Sequence, residues 1–178
     1  MTKTAEKQKM LKCRGLRFPL DRDVLPPRIR ALLREGNYEA KEAIAVRKLV
    51  KADDVVMELG AGIGFMSTLV ATKTPAKSVH SFEANPQLMP YIAQVHALNG
   101  VTNAHVTNAV LADSDGSAAF YIRKNFLASS LDPMEDGEEC TRVEVPTRDV
   151  NAVIAELQPS VLICDIEGAE VDLLPKMD

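Results

Sequence analysis

Apolar and polar positions along the chain follow two rhythms. Val55 to Leu59, an apolar run interrupted only by Glu58, and Val161 to Cys164 suit short strands buried on both faces of a parallel sheet, and Ser78 to Phe82 reads as a further strand. Between them the spacing becomes helical. Tyr38 to Val50 places Ala43, Val46, Leu49 and Val50 on one side, Phe65 to Thr72 follows a glycine turn, and Pro86 to Asn99 directs Leu88, Ile92, Val95 and Ala97 inward. His105 to Val110 supplies a third strand, which completes a βαβαβ pattern. From Asp113 to Pro146 the rhythm changes again. Two alternating stretches, "SAAFYIRK" and "TRVEVPT", flank the loop-rich "NFLASSLDPMEDGEE" and predict an inserted antiparallel hairpin, after which Val150 to Leu157 returns to helix. Residues 1–27 are polar and broken by Pro19 and the Pro26-Pro27 pair, so they read as a lead-in to a domain spanning 28–178, opened by a short helix at Arg28 to Arg34.

Length and composition agree with one α/β domain: 178 residues, 46% of them hydrophobic, are enough for a core. A formal net charge of -4 and the absence of a Lys/Arg block argue against a nucleic-acid partner. No run approaches the roughly 18 apolar residues of a membrane helix, and Met1 leads into a polar segment, so a cytoplasmic protein is expected. Cys13, Cys140 and Cys164 form no CxxC pair and predict neither a disulfide framework nor a zinc site.

The chemistry concentrates in "ELGAGIG", Glu58 to Gly64. A phosphate-binding nucleotide loop needs a Lys-Ser/Thr pair after its last glycine, but Phe65 and Met66 follow Gly64. The dinucleotide fingerprint needs its third glycine where Phe65 stands. Glu58, two residues before Gly60, would repel a pyrophosphate and attract a cation. S-adenosylmethionine answers that description: it carries a sulfonium and an ammonium and no phosphate. Glycines admit its amino-acid end to the backbone, and the amides at a helix start can receive its carboxylate.

The expected cofactor contacts are therefore Glu58, Gly60, Ala61, Gly62, Gly64 and Phe65 in the first turn, with Glu83, Ala84 and Asn85 at the end of the second strand. Glu83 suits the ribose hydroxyls there. Asn108 and Ala109, ending the third strand, would meet the adenine, although asparagine is also a common turn former. Asp165 and Glu167, at the end of the fourth strand, are candidates for orienting or deprotonating an acceptor, or for simple helix-capping acids. His80, His96 and His105 are read as packing or surface residues, and no metal site is predicted.

The segments "GNYEAKEA" (36–43), "ELGAGIGFMS" (58–67), "SFEANP" (81–86) and "CDIEGAE" (164–170) resemble the FkbM family of S-adenosylmethionine-dependent methyltransferases, as does the serine loop "NFLASSL" (125–131). The resemblance implies a Rossmann-like, doubly wound, mostly parallel sheet and O-methylation of a hydroxyl on a small molecule, sugar or lipid-linked substrate. It further implies that Tyr38 and Glu39 close the pocket and that Asp165 with Glu167 face the methyl group. Such a sheet has seven strands, and this chain offers four core strands. The C-terminal strands are then missing, with a bare edge for a homo-oligomer to cover. A methyltransferase-like binding module without turnover is the alternative expectation.

Overall fold

The computed structural model describes residues 9–123, 140–166 and 168–177. The lead-in supplies an antiparallel hairpin, β1 (Met10–Cys13) and β2 (Leu16–Pro19), which is followed by helices α1 (Pro27–Glu35) and α2 (Ala40–Leu49). The central sheet is built from β3 (Val55–Leu59), β4 (Ser78–Glu83) and β5 (Ala104–Asn108), with α3 (Phe65–Lys73) and α4 (Met89–Asn99) as the crossovers. A second, three-stranded sheet holds β6 (Val110–Ala112), β7 (Gly116–Arg123) and β8 (Cys140–Asp149). The chain then forms α5 (Val150–Leu157), returns to the central sheet as β9 (Val161–Cys164), and continues into α6 (Glu170–Leu173). The central strands lie in the order β5-β4-β3-β9, all parallel. This is the Rossmann-like α/β arrangement expected from the pattern, and β7 with β8 is the inserted antiparallel hairpin.

Alternation along β3 divides the core. Val56 faces a cluster shared by the hairpin, α1, α2, α3 and α4, while Met57 and Leu59 face the other side, where Val150 and Val153 of α5 and Leu173 of α6 cover them. Helices thus protect both faces of the sheet, which leaves its C-terminal edge as the open rim where ligands enter such folds.

Three details differ from the pattern. Leu49 is 64% exposed while Ala43, Val46 and Val50 are buried, because α2 ends at Leu49 and Val50 turns back extended. Ala97 faces solvent and Tyr91 takes its expected place in the core, anchored by its hydroxyl to the Pro19 carbonyl at 2.9 Å. The third strand breaks at Ala109: β5 stays in the central sheet, and Val110 onward pairs with β8.

The hairpin is part of this core. Its inward residues Leu11, Cys13, Leu16 and Phe18 are buried, and the Phe18 ring stacks on Phe65 at a centroid distance of 5.8 Å. Tyr38 meets the same Phe65 edge-on at 5.2 Å. Replacing Phe18 by Ala should therefore cost about 3–5 kcal/mol and lower the melting temperature by about 10 °C. A melting curve matching that of the parent chain would show that the hairpin contributes nothing to the core.

Candidate active site

At the C-terminal rim of the central sheet, β3 ends in a turn that three glycines make possible. Gly60, Gly62 and Gly64 all adopt positive φ, at 85°, 53° and 73°. At Gly60 the constraint is also spatial, since a Cβ there would lie 1.9 Å from the Asp165 carbonyl oxygen. The ends of β3 and β9 thus touch backbone to backbone, and the Asp165 amide donates to the Leu59 carbonyl at 3.0 Å. Gly64 occupies the α3 cap, where a Cβ would come within 2.8 Å of Ile92.

Beneath this turn lies a cavity of about 390 Å³, within the range of small-ligand sites. Its wall includes Tyr38, Glu39, Gly60, Gly62, Glu83, Ala84, Asn85, Ala109 and Asp165 from the expected set. Glu58, Ala61, Gly64, Phe65 and Asn108 are not on the wall and instead support it from behind. The pattern gave no hint that Leu88, Phe120, Thr147 or Asp172 would also line it. They come from the α4 cap, the second sheet and α6, so only the tertiary fold brings them to the rim. Glu167, the serine loop and the "MEDGEE" tract lie outside the described residues.

Glu83 ties the two turns together. Its Oε2 accepts the Gly62 amide and its Oε1 the Asn85 amide, both at 2.7 Å. Each oxygen keeps a lone pair for a ligand donor. Burial raises the Glu83 pKa, and these amide bonds oppose the rise. Asn108 spends its amide on the carbonyls of Glu83 and Ala84, at 2.7 and 3.0 Å, and so acts first as a strut under the β4 end.

Glu58 is 1% exposed and accepts a short hydrogen bond from the Ser81 hydroxyl. Burial pushes its pKa up to about 8, reinforced by Glu39 and Glu83 and opposed by the Ser81 bond. Burial likewise raises Glu39 to about 7, with Tyr38 opposing and Asp165 adding repulsion. Asp165 is raised by burial and by the charges of Glu170 and Glu42, although much of its surface is open to solvent. Glu170 is the capping acid of this loop: its carboxylate accepts the Ile166 and Gly168 amides at 2.8 Å each, leaving Asp165 directed to the cavity.

The wall therefore carries Glu39, Glu83, Asp165 and Asp172 against one cation, Lys176, which is paired with Asp113 at 3.3 Å. Such a site prefers a cationic guest. No group of His, Cys, Asp or Glu placed to hold a metal ion occurs among the described residues. The histidines lie elsewhere: His80 stacks on His105 at 5.3 Å, and His96 bonds to Ser67 at 3.0 Å. Among the described residues, no helix is long and apolar enough to cross a membrane.

The sequence model of one family, the TRM5/TYW2 methyltransferase domain, matches residues 29–122. No curated protein matches the chain. Among solved structures, TYW2 of M. jannaschii, described in complex with AdoMet, is 22% identical with a TM-score of 0.46, over 60% of this chain and 45% of that one. Trm5b of Pyrococcus abyssi is 25% identical with a TM-score of 0.43, over 62% and 33%. A structure described as the complex of aTrm5 and tRNALeu is 20% identical with a TM-score of 0.43, over 59% and 30%. The chain thus spans less than half the length of these relatives.

Two expectations are corrected by these findings. The resemblance to the FkbM family is overturned by the match to the TRM5/TYW2 domain. The glycine turn and the acid-ended second strand serve a cofactor that many methyltransferases share, so they cannot separate such families. The "CDIEGAE" segment of that resemblance lies beyond the matched residues. The expectation of a small-molecule substrate and no nucleic-acid partner conflicts with the match to the TRM5/TYW2 domain, a similar structure being described as a complex of aTrm5 with tRNALeu. Its physical basis was an average. Residues 1–51 contain 14 Lys and Arg against six Asp and Glu, and residues 52–178 contain seven against 19, so a basic part is hidden in the total of -4.

Because Glu58 has a raised pKa in the folded chain, its protonated form stabilises the fold fully below the ordinary carboxylate range, and that contribution is lost as pH rises through about 8. Melting temperatures measured from pH 5 to pH 9 should fall across this window, and Glu58→Gln should flatten the slope. A Gly60→Ala variant should lose about 2 kcal/mol or more, and thermal unfolding at parental temperature would contradict the backbone contact with Asp165.

Proposed function

Because the chain belongs to the TRM5/TYW2 methyltransferase domain family, we propose that it binds S-adenosylmethionine at the C-terminal rim of its sheet and takes part in S-adenosylmethionine-dependent methylation of tRNA. The observation that carries this reading is the acid-walled cavity under the glycine turn. Glu39, Glu83 and Asp165 converge there beside backbone that has no Cβ in the way.

The residues fit this cofactor. Glu83 can accept from ribose hydroxyls with the lone pairs that its two amide bonds leave open. Gly62 lets a methionine moiety approach the main chain, and Ala84, Ala109 and Leu88 offer an apolar seat for a base. When bound, the cofactor would supply a methyl group activated on a sulfonium, whose sulfur keeps the bonding pair and departs as a neutral thioether. Glu39 and Asp165 add negative charge beside that cation. Tyr38, buried against Phe65 and near Gly62, fixes the helix start that carries Glu39. For the acceptor, Asp165 is the carboxylate with open access and a raised pKa, suited to orient it or take its proton. Much of the rate would come from holding acceptor and donor in line.

Titration calorimetry with S-adenosylmethionine and S-adenosylhomocysteine checks the site directly. Saturable binding is expected, weakened at least about tenfold by Glu83→Ala through the loss of charge-assisted hydrogen bonds. Affinity for the cationic cofactor should rise between pH 6 and pH 8 as Glu39 loses its proton, and Glu39→Gln should remove most of that rise. A folded chain that binds neither ligand would sink the reading.

A further inference from the structure

The basic part of the chain has a shape of its own. The hairpin segment "KMLKCRGLRFPL", residues 9–20, carries Lys9, Lys12, Arg14 and Arg17 and no acid. Its inward positions are apolar and buried, so Lys9, Lys12 and Arg17 stand on the solvent side, while Arg14 at the turn is half-buried with its Nε shut off from solvent. Lys12 and Arg17 are register partners, directly opposite each other across the two strands. Like charges in that relation destabilise a hairpin. At the turn, Arg14 adopts a left-handed φ of 50°, and Lys73 of α3 brings its Nζ within 3.7 Å of where a Gly15 Cβ would stand. Four cations from two elements thus crowd one tip.

Nothing described nearby neutralises them. The ion pairs observed among the described residues join Arg142 to Glu144, Arg148 to Asp115 and Glu156, and Lys176 to Asp113, all in the second half of the chain. Asp21, the first acid after the hairpin, directs its carboxylate to the amides of Asp23 and Val24. Arg17 donates to the Leu98 carbonyl at the end of α4, which holds the hairpin in place without cancelling its charge. A solvated face dispersed for solubility would interleave both signs; this one concentrates a single sign on a rigid surface.

We infer that the outer face of the hairpin tip, formed by Lys12, Arg14, Arg17 and Lys73, is a docking surface for the phosphate backbone of RNA. The inference rests on the tRNA reading above for the identity of the polyanion and adds where on this chain it binds. Phosphates spaced along a strand would relieve the cross-strand repulsion and release their own counterions, which makes such binding steeply salt-dependent. Backbone contacts of this kind position a nucleic acid and carry no sequence information. The surface would therefore set register while the cavity at the rim selects the reacting group.

The test is fluorescence anisotropy of a labelled tRNA transcript titrated with the full chain at 50 to 200 mM salt. The variants are the triple Lys12→Glu, Arg14→Glu, Lys73→Glu, a milder set with Gln at the same positions, and Arg142→Glu as a control on β8. The dissociation constant should rise roughly tenfold or more for the triple variant, and the slope of log affinity against log salt should shrink by about 2, given roughly 0.7 to 0.9 per phosphate contact. The Gln set should show a smaller shift in the same direction, and the control none. S-adenosylhomocysteine affinity should be unchanged in all of them, which separates loss of docking from loss of fold. If the triple variant binds tRNA with parental affinity and slope, the docking surface is refuted while the tRNA reading stands. If the parent chain binds S-adenosylhomocysteine but no tRNA, or prefers phosphatidylserine vesicles to tRNA, the tRNA reading fails and the docking surface fails with it.

Discussion

Everything at the rim depends on the closeness of two strand ends. Gly60 and Asp165 approach so tightly that no side chain fits between them. That contact seats β9 against β3, carries the Asp165 carboxylate to the cavity, and lets the glycine turn fold over rather than away from the sheet. Glu83 does the complementary work on the other side by bonding the Gly62 amide from the end of β4. One turn is thus held by a steric limit on one flank and by a charged acceptor on the other.

The electrostatics follow from this geometry. Carboxylates at the ends of adjacent parallel strands are necessarily near one another, since the strands themselves lie about 5 Å apart. Burial, with repulsion from Glu39 and Glu83 on Glu58 at the end of β3 and from Asp165 on Glu39 at the start of α2, raises both above the ordinary range. The cation on the wall, Lys176, is engaged with Asp113. The site is preorganised for a positively charged guest, at the cost of stability at high pH.

Much of the architecture was legible in the sequence because it is local. The apolar runs of β3 and β9, the glycine turn, and the acids at strand ends are each fixed by residues within a few positions. What was not legible is relational. Ala109 looks like one more strand residue until β8 competes for the segment that follows it. Leu49 fits a helical stripe but lies on the last turn, where the chain has already left the core. Asn108 reads as a ligand donor, yet neighbouring carbonyls claim its amide first. Family identity was missed, and a nucleic-acid partner set aside, for a similar reason, since a shared cofactor motif and a whole-chain charge both discard position.

The aromatic contact between Phe18, Phe65 and Tyr38 has a consequence for motion. Phe65 opens α3 directly after the glycine turn, Tyr38 precedes α2, and Phe18 belongs to the hairpin, so three segments distant in sequence share one ring cluster. None can open locally without exposing the others' apolar surface. The first strands of the chain cannot fray as termini commonly do; they form one cooperative unit with the cofactor turn, and slow amide exchange in one should be matched in the other.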